Sequence, residues 1–213
     1  KFKASVNISD ISNSELVFVL VQTPLLESEN SFYDHTILEE VLQKINEIGV
    51  FNVIINSTVM PGFNNKWNSK IRGSLSYNPA FVSQGEIMKE YENGGKFNIS
   101  VLGTYSNFVK TELAKIYREN LQIMTPSSTE IFKIADNTFR IMKITFTNLI
   151  RDLSKTIPNA DAFEISHALK KDTSIGSTCM TPGFGYGGPC YPRDVKALIK
   201  CCNSNDIEPW LLA

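Results

Sequence analysis

The chain has 213 residues, 42% of them hydrophobic, which is enough for one or two domains with a sizeable core. A formal net charge of -1 provides no basic field, so neither nucleic acid nor an anionic membrane surface is an expected partner. The longest apolar run, ELVFVLV, is far too short to span a bilayer, and the opening KFKASVNISDISNSE lacks the apolar stretch of a signal peptide.

Residues 16–21, LVFVLV, form a continuous apolar run of the kind that marks a strand buried on both faces, and QTP follows as a loop. In YDHTILEEVLQKINEIG (33–49), Ile37, Val41, Ile45 and Ile48 predict the buried stripe of a helix, with Gly49 as its C-cap. FNVIIN (51–56) is the next buried strand, so the order β-α-β predicts a parallel sheet. A second helix is expected over about 64–71, a short strand over LSYNP (75–79), and another strand over FNISVLG (97–103). A helix over 106–120 and an edge strand over 121–125 complete what reads as part of a doubly wound α/β domain.

The pattern then changes. Residues 127–156 contain neither Gly nor Pro and carry apolar residues at Ile131, Ile134, Phe139, Met142, Phe146, Leu149, Ile150 and Leu153. They predict one long helix, roughly 45 Å at 1.5 Å per residue, capped by Ser127 or Ser128 with Glu130 in its first turn. Helices over 161–172 and 192–205 follow, and a domain boundary is expected near 126. The fold class is therefore α/β: a partial Rossmann-like parallel sheet over 1–126, then an all-helical domain over 127–213 built on one long helix. No strand is followed by the G-x-G-x-x-G turn of a dinucleotide-binding half, so the chain reads as beginning after that first unit.

Four cysteines, Cys179, Cys190, Cys201 and Cys202, crowd into the last part of the chain without CxxC spacing. Free thiols in a reducing cytoplasm are expected, not a disulfide framework or a metal site. Cys190 stands out. It follows the loop PGFGYGGP and precedes a helix start, where the helix dipole favours a thiolate and Arg193 adds positive charge. Gly187 and Gly188 would let a substrate approach the backbone, and Asp194 falls in the first helical turn. By residue type and spacing alone, Cys190 reads equally as a nucleophile or as a small apolar side chain under a tight loop.

Lys133 and Asn137 share a helix face and could both donate to a developing oxyanion, or could lie on a solvated polar face. Thr58 sits at a strand end, the usual ligand side of such sheets. His35 and His167 have no catalytic or metal-ligand spacing and are expected in surface or core polar roles.

Five segments, in order, resemble the UDP-glucose/GDP-mannose dehydrogenase family. They are VFVLVQTP, STVMPGF, NPAFVSQG, KIADNTFRIMKITFTN and GFGYGGPCYPRD. The family versions are a strand ending in Thr-Pro, STV-x-PG, NPEFLREG, K-x-x-x-N-x-F/Y-x-A-x-K/R-x-x-F-x-N-E and GFGFGGSCLPKD. The resemblance implies an NAD-dependent oxidation of a nucleotide sugar's C6 alcohol to a carboxylate, with NAD as cofactor. It implies Cys190 as the covalent nucleophile, Lys133 and Asn137 as oxyanion donors, and Asp194, Thr58 and Gln84 around the hydrolytic water. Thr23, Pro24, Thr58 and Arg193 would face the cofactor; Phe81, Lys133, Asn137 and Gly187 would face the substrate. The partners implied are a nucleotide sugar and a second copy, bound through the long helix.

Some positions depart from the family pattern. Ala80 and Gln84 stand where the family has glutamates, Arg193 where it has lysine, Leu149 where it has an acid, and Ser174 where the glucose branch has arginine. Glutamine can hydrogen-bond a water but cannot accept its proton. The expected products are therefore a fragment of a dehydrogenase, inactive alone without the glycine turn and a C-terminal domain, or a non-catalytic relative serving as a folding or dimerisation module.

Overall fold

The computed structural model describes residues 3–26, 33–81 and 100–212. Contacts divide the chain into two compact units, Lys1–Lys133 and Ile134–Ala213, the division falling inside the long helix. Gln84 lies outside the described residues.

In the first unit the β-branched runs become strands β1 (Val17–Val19), β2 (Asn52–Ile55), β3 (Ser74–Tyr77), β4 (Ser100–Gly103) and β5 (Leu121–Met124). Among the described residues they form one sheet in the order β1-β2-β3-β4-β5. β1 pairs parallel to β2 with Val17 opposite Val53, and β2 parallel to β3 with Val53 opposite Leu75. β4 and β5 are parallel to each other, but β4 meets β3 antiparallel through the single pair Tyr77–Gly103. The sheet is thus mainly parallel, with one reversal that its apolar runs do not encode, since a buried strand looks the same in either direction.

β2 shows why the centre is apolar throughout. Val53 and Ile55 pack with Leu38, Leu42, Ile45, Phe63 and Trp67 on one face, while Ile54 packs with Leu102, Val109 and Leu113 on the other. β1 differs from expectation. Val19 is buried, but Phe18 is 44% and Leu20 72% exposed, so only one face of this edge strand is covered.

Helix α1 (Thr36–Ile48) ends at Gly49, whose φ of 89° is the left-handed cap conformation that glycine adopts freely. Its buried stripe is Leu38, Leu42 and Ile45, with Ile37 turned outward, a rotation from the expected face. Short α2 (Phe63–Asn68) and α3 (Asn107–Tyr117) follow; Ser106 caps α3 by accepting from Val109 N.

Helix α4 (Pro126–Ser154) starts one residue before the expected segment. Its cap is Thr125, whose Oγ1 accepts from Ser128 N at 3.3 Å, and not Ser127 or Ser128. Pro126 opens the helix, where a missing N–H costs nothing. At Gly103 a Cβ would come within 2.6 Å of Pro126 Cα, so the end of β4 needs glycine to let the start of α4 approach. The second unit holds the rest of α4, α5 (Ala162–Lys171) capped by Asp161, and α6 (Tyr191–Asn203). Among the described residues, no helix is long and apolar enough to cross a membrane.

Candidate active site

In the sheet unit, the C-terminal ends of β1 and β2 are laced together by short polar side chains. Ser57 Oγ accepts from Val21 N at 2.8 Å and donates to Val21 O at 2.7 Å. Thr23 Oγ1 donates to Thr58 O at 2.8 Å, so Thr23 and Thr58 sit together. Pro24 O accepts from Asp34 N at 2.7 Å, drawing the start of α1 to the same edge.

His35 belongs to this cluster, although its sequence context gave no catalytic spacing. Its Nε2 accepts from Met60 N at 3.4 Å, and its ring lies 4.5 Å from that of Phe63. Burial holds its pKa to about 4, so the ring is neutral and free to accept. His167, by contrast, is exposed on α5.

Lys133 is buried, 7% exposed, and not on a solvated face. Its Nζ donates to Ala80 O at 2.8 Å and lies 4.4 Å above the Phe81 ring, which itself packs edge-on to Phe132 at 5.7 Å. The structure therefore brings Lys133, Ala80 and Phe81 together just beyond β3. One helical turn earlier, Glu130 is fully buried and accepts from the N–H groups of Gly62 and Asn64. Burial pushes its carboxyl up to about 7, against the pull of those two donors. The first-turn reading of Glu130 missed this, because its partners lie more than sixty positions away.

The helical unit presents Cys190 at the N-cap of α6, exposed, with all four thiols free. Its carbonyl accepts from Asp194 N at 2.9 Å, and Pro192 stands in the first turn. Asp194 is fully buried. Its Oδ2 accepts from Asn137 Nδ2 at 2.5 Å and its Oδ1 from Arg193 Nε at 3.1 Å. Asn137, 9% exposed, is thus tied to the helix start that carries Cys190.

The loop before Cys190 is strapped to α4 by residues that sequence reasoning passed over. Asn148 donates to Phe184 O at 3.1 Å and accepts from Gly183 N at 3.0 Å. Arg151 donates to Gly183 O, and Lys143 to the carbonyls of Ile175 and Gly176 at 3.1 Å each. Both Lys143 and Asn148 fall on fixed positions of the K-x-x-x-N helix motif, which was the available signal. Gly188 has φ of 80°, but a Cβ on Gly183, Gly185 or Gly187 would meet nothing within 4 Å. The described chain's own packing does not demand glycine at those three positions.

Ser174, at the site of the missing arginine, closes a turn with Asp172, donating from N at 2.9 Å and from Oγ at 2.6 Å.

Comparison with known proteins bears on this arrangement. Residues 1–121 match the model of the UDP-glucose/GDP-mannose dehydrogenase family NAD binding domain, and residues 127–213 match that family's central domain. The chain belongs to the UDP-glucose/GDP-mannose dehydrogenase family. It is 28% identical to a UDP-glucose 6-dehydrogenase of Rhizobium meliloti over 214 residues, covering 92% of this chain and 48% of that one. A UDP-glucose dehydrogenase structure from Pyrobaculum islandicum superposes with a TM-score of 0.84 at 24% identity, over 98% of this chain and 51% of that one, a likeness of fold. A ternary complex of GDP-mannose dehydrogenase from Pseudomonas aeruginosa gives 0.67 at 26% identity, covering 98% and 51%. The chain spans about half the length of the relatives it matches.

The residues present suit one end of the family's cofactor. The joined, parallel ends of β1 and β2 carry Thr23, Pro24 and Thr58 on the edge where such sheets bind ligands. Their hydroxyls and backbone groups match an amide and a ribose; the sequence's G-x-G-x-x-G pattern, Gly183 to Gly188, lies between two helices and follows no strand, so it is not the phosphate-cradling strand-turn-helix.

Proposed function

We propose that this chain carries the catalytic residues of an NAD-dependent nucleotide-sugar 6-dehydrogenase, which oxidises the C6 alcohol of the sugar to a carboxylate. The observation that carries the reading is the 2.5 Å bond from Asn137 to buried Asp194. It joins two family motifs in space, the K-x-x-x-N helix and the helix start that presents an exposed thiol.

Thr23, Pro24, Thr58 and Arg193 would hold NAD, which when bound supplies a two-electron hydride acceptor; two NAD, bound in turn, would take the two hydrides that leave C6. The chain's own groups do the rest. Lys133 and Asn137 stabilise the C6 oxygen as its proton passes to solvent water. The Cys190 thiolate adds to the resulting aldehyde carbon, and the oxyanion of the thiohemiacetal is held by the same two donors. Loss of the second hydride from that carbon leaves a thioester. Water, ordered by Thr58 and Asp194, adds to the thioester carbon, the C–S bond breaks to return the Cys190 thiolate, the water's protons pass to solvent, and the carboxylate departs. Gln84 orients this water without taking its proton, so thioester hydrolysis is the slow stage. Phe81 and Gly187 border the sugar, the latter through a loop whose open glycines let a ligand approach the backbone.

Pairing of two copies through α4 belongs to the same reading. Phe139, Phe146, Leu149 and Leu153 lie at helical spacing and are each about half exposed or more, an apolar stripe that a second helix would cover.

The test is turnover of the whole protein with NAD against a panel of nucleotide sugars. Reduction of two NAD per carboxylate formed is the expected result. A protein that binds these sugars and forms no carboxylate would instead be the non-catalytic relative.

A further inference from the structure

Met60, Gly62 and Asn64 alternate from the turn that follows β2 into the first turn of α2, and side chains from outside that stretch accept the N–H groups of all three. His35 Nε2 takes that of Met60 at 3.4 Å. Glu130 takes the other two, Oε2 from Gly62 at 2.6 Å and Oε1 from Asn64 at 2.7 Å. Gly62 sits at φ of 94°, so the chain reverses there and presents both N–H groups to one carboxylate. The same turn carries Thr58 at its start, with Thr58 O bound to Thr23.

Glu130 stands three residues before Lys133 on α4. A single turn of that helix therefore grips two neighbouring strand-end loops. Glu130 holds the loop after β2, and Lys133 holds Ala80 O in the loop after β3. Only a carboxylate offers an acceptor atom to each N–H; an amide would turn an NH2 against one of them.

We propose that Glu130 is a positioning residue that fastens the helix bearing Lys133 to the turn bearing Thr58, setting the two groups in register. Its value for turnover rests on the dehydrogenase reading above, whereas the clamp itself is testable without it.

Hydrogen–deuterium exchange of the whole protein, read on peptides spanning 58–68, is the direct test. E130Q is expected to speed exchange at Gly62 and Asn64 by about tenfold or more, with peptides spanning 52–55 and 74–77 within about twofold of wild type. With nucleotide sugar and NAD, kcat is expected to fall about tenfold with KM within about threefold, because misplaced groups cost the transition state more than the ground state. E130D keeps both oxygens on a shorter stem and is expected to recover part of each effect. Unchanged exchange at Gly62 and Asn64 in E130Q overturns the proposal. A rise spread over the whole sheet, unrelieved in E130D, overturns it too. Local exchange change in a protein with no turnover on any nucleotide sugar supports the clamp and sinks the functional reading instead.

Discussion

The two units hold their candidate functional groups in opposite ways. In the sheet unit the polar groups are buried and held from several sides. Ser57, Thr23, Glu130 and Lys133 are each less than a tenth exposed. In the helical unit the candidate nucleophile is exposed, at the end of a loop whose glycines border open space, and only the groups behind it are buried. On the proposed mechanism, burial holds the oxyanion donors Lys133 and Asn137, while exposure leaves the nucleophile Cys190 accessible. Function and stability should therefore separate at Cys190 and coincide at the buried polar groups.

The strongest way to break this comparison is Asp194→Ala. It removes the buried carboxylate to which Asn137 and Arg193 donate and should cost about 3 kcal/mol in urea unfolding. C190A should stay within about 0.5 kcal/mol of wild type, since an exposed side chain leaves no cavity. Equal losses for the two variants would remove the distinction.

An acid titration probes the sheet unit. Burial holds His35 near pKa 4, below its ordinary 6.5, so folding disfavours its protonated form. Stability from the neutral ring is complete above pH 6.5 and drains as pH falls towards 4. Wild type should lose about 2 kcal/mol more than H35Q across that window, measured by urea unfolding at several pH values. Parallel curves would mean the ring is not kept neutral.

Asn148→Ala sharpens the contrast from the other side. Two hydrogen bonds to the loop vanish at a half-buried position, so the expected cost is about 1 kcal/mol, with faster hydrogen exchange confined to 182–188. Smallest in effect, Cys190 should alkylate about fivefold faster than Cys201, which is half-buried and whose pKa is raised by burial. Equal rates would show that exposure at the helix start confers no reactivity.

What the sequence disclosed follows from how local each signal is. Continuous apolar runs locate strands, and Gly49 marks a helix end, because both depend on neighbouring residues alone. The covered face of β1 was not legible: LVFVLV is apolar on both sides, and only its place at the sheet edge leaves Phe18 and Leu20 exposed. The α4 cap was missed by reading past Thr125 to two serines, although Pro126 behind it was the better mark of a first turn. Glu130 and His35 were out of reach for another reason. Their partners are backbone N–H groups, which every residue has, so no residue pairing announces them. Asn148 and Lys143 were within reach, since the motif that flagged Lys133 and Asn137 contains them.

The most direct measurement is rapid-quench peptide mass spectrometry of the whole protein during turnover with a nucleotide sugar and NAD. An acyl group on the peptide containing Cys190, building up before carboxylate appears, is the predicted result. Rapid carboxylate release with an unmodified Cys190 throughout would contradict the account.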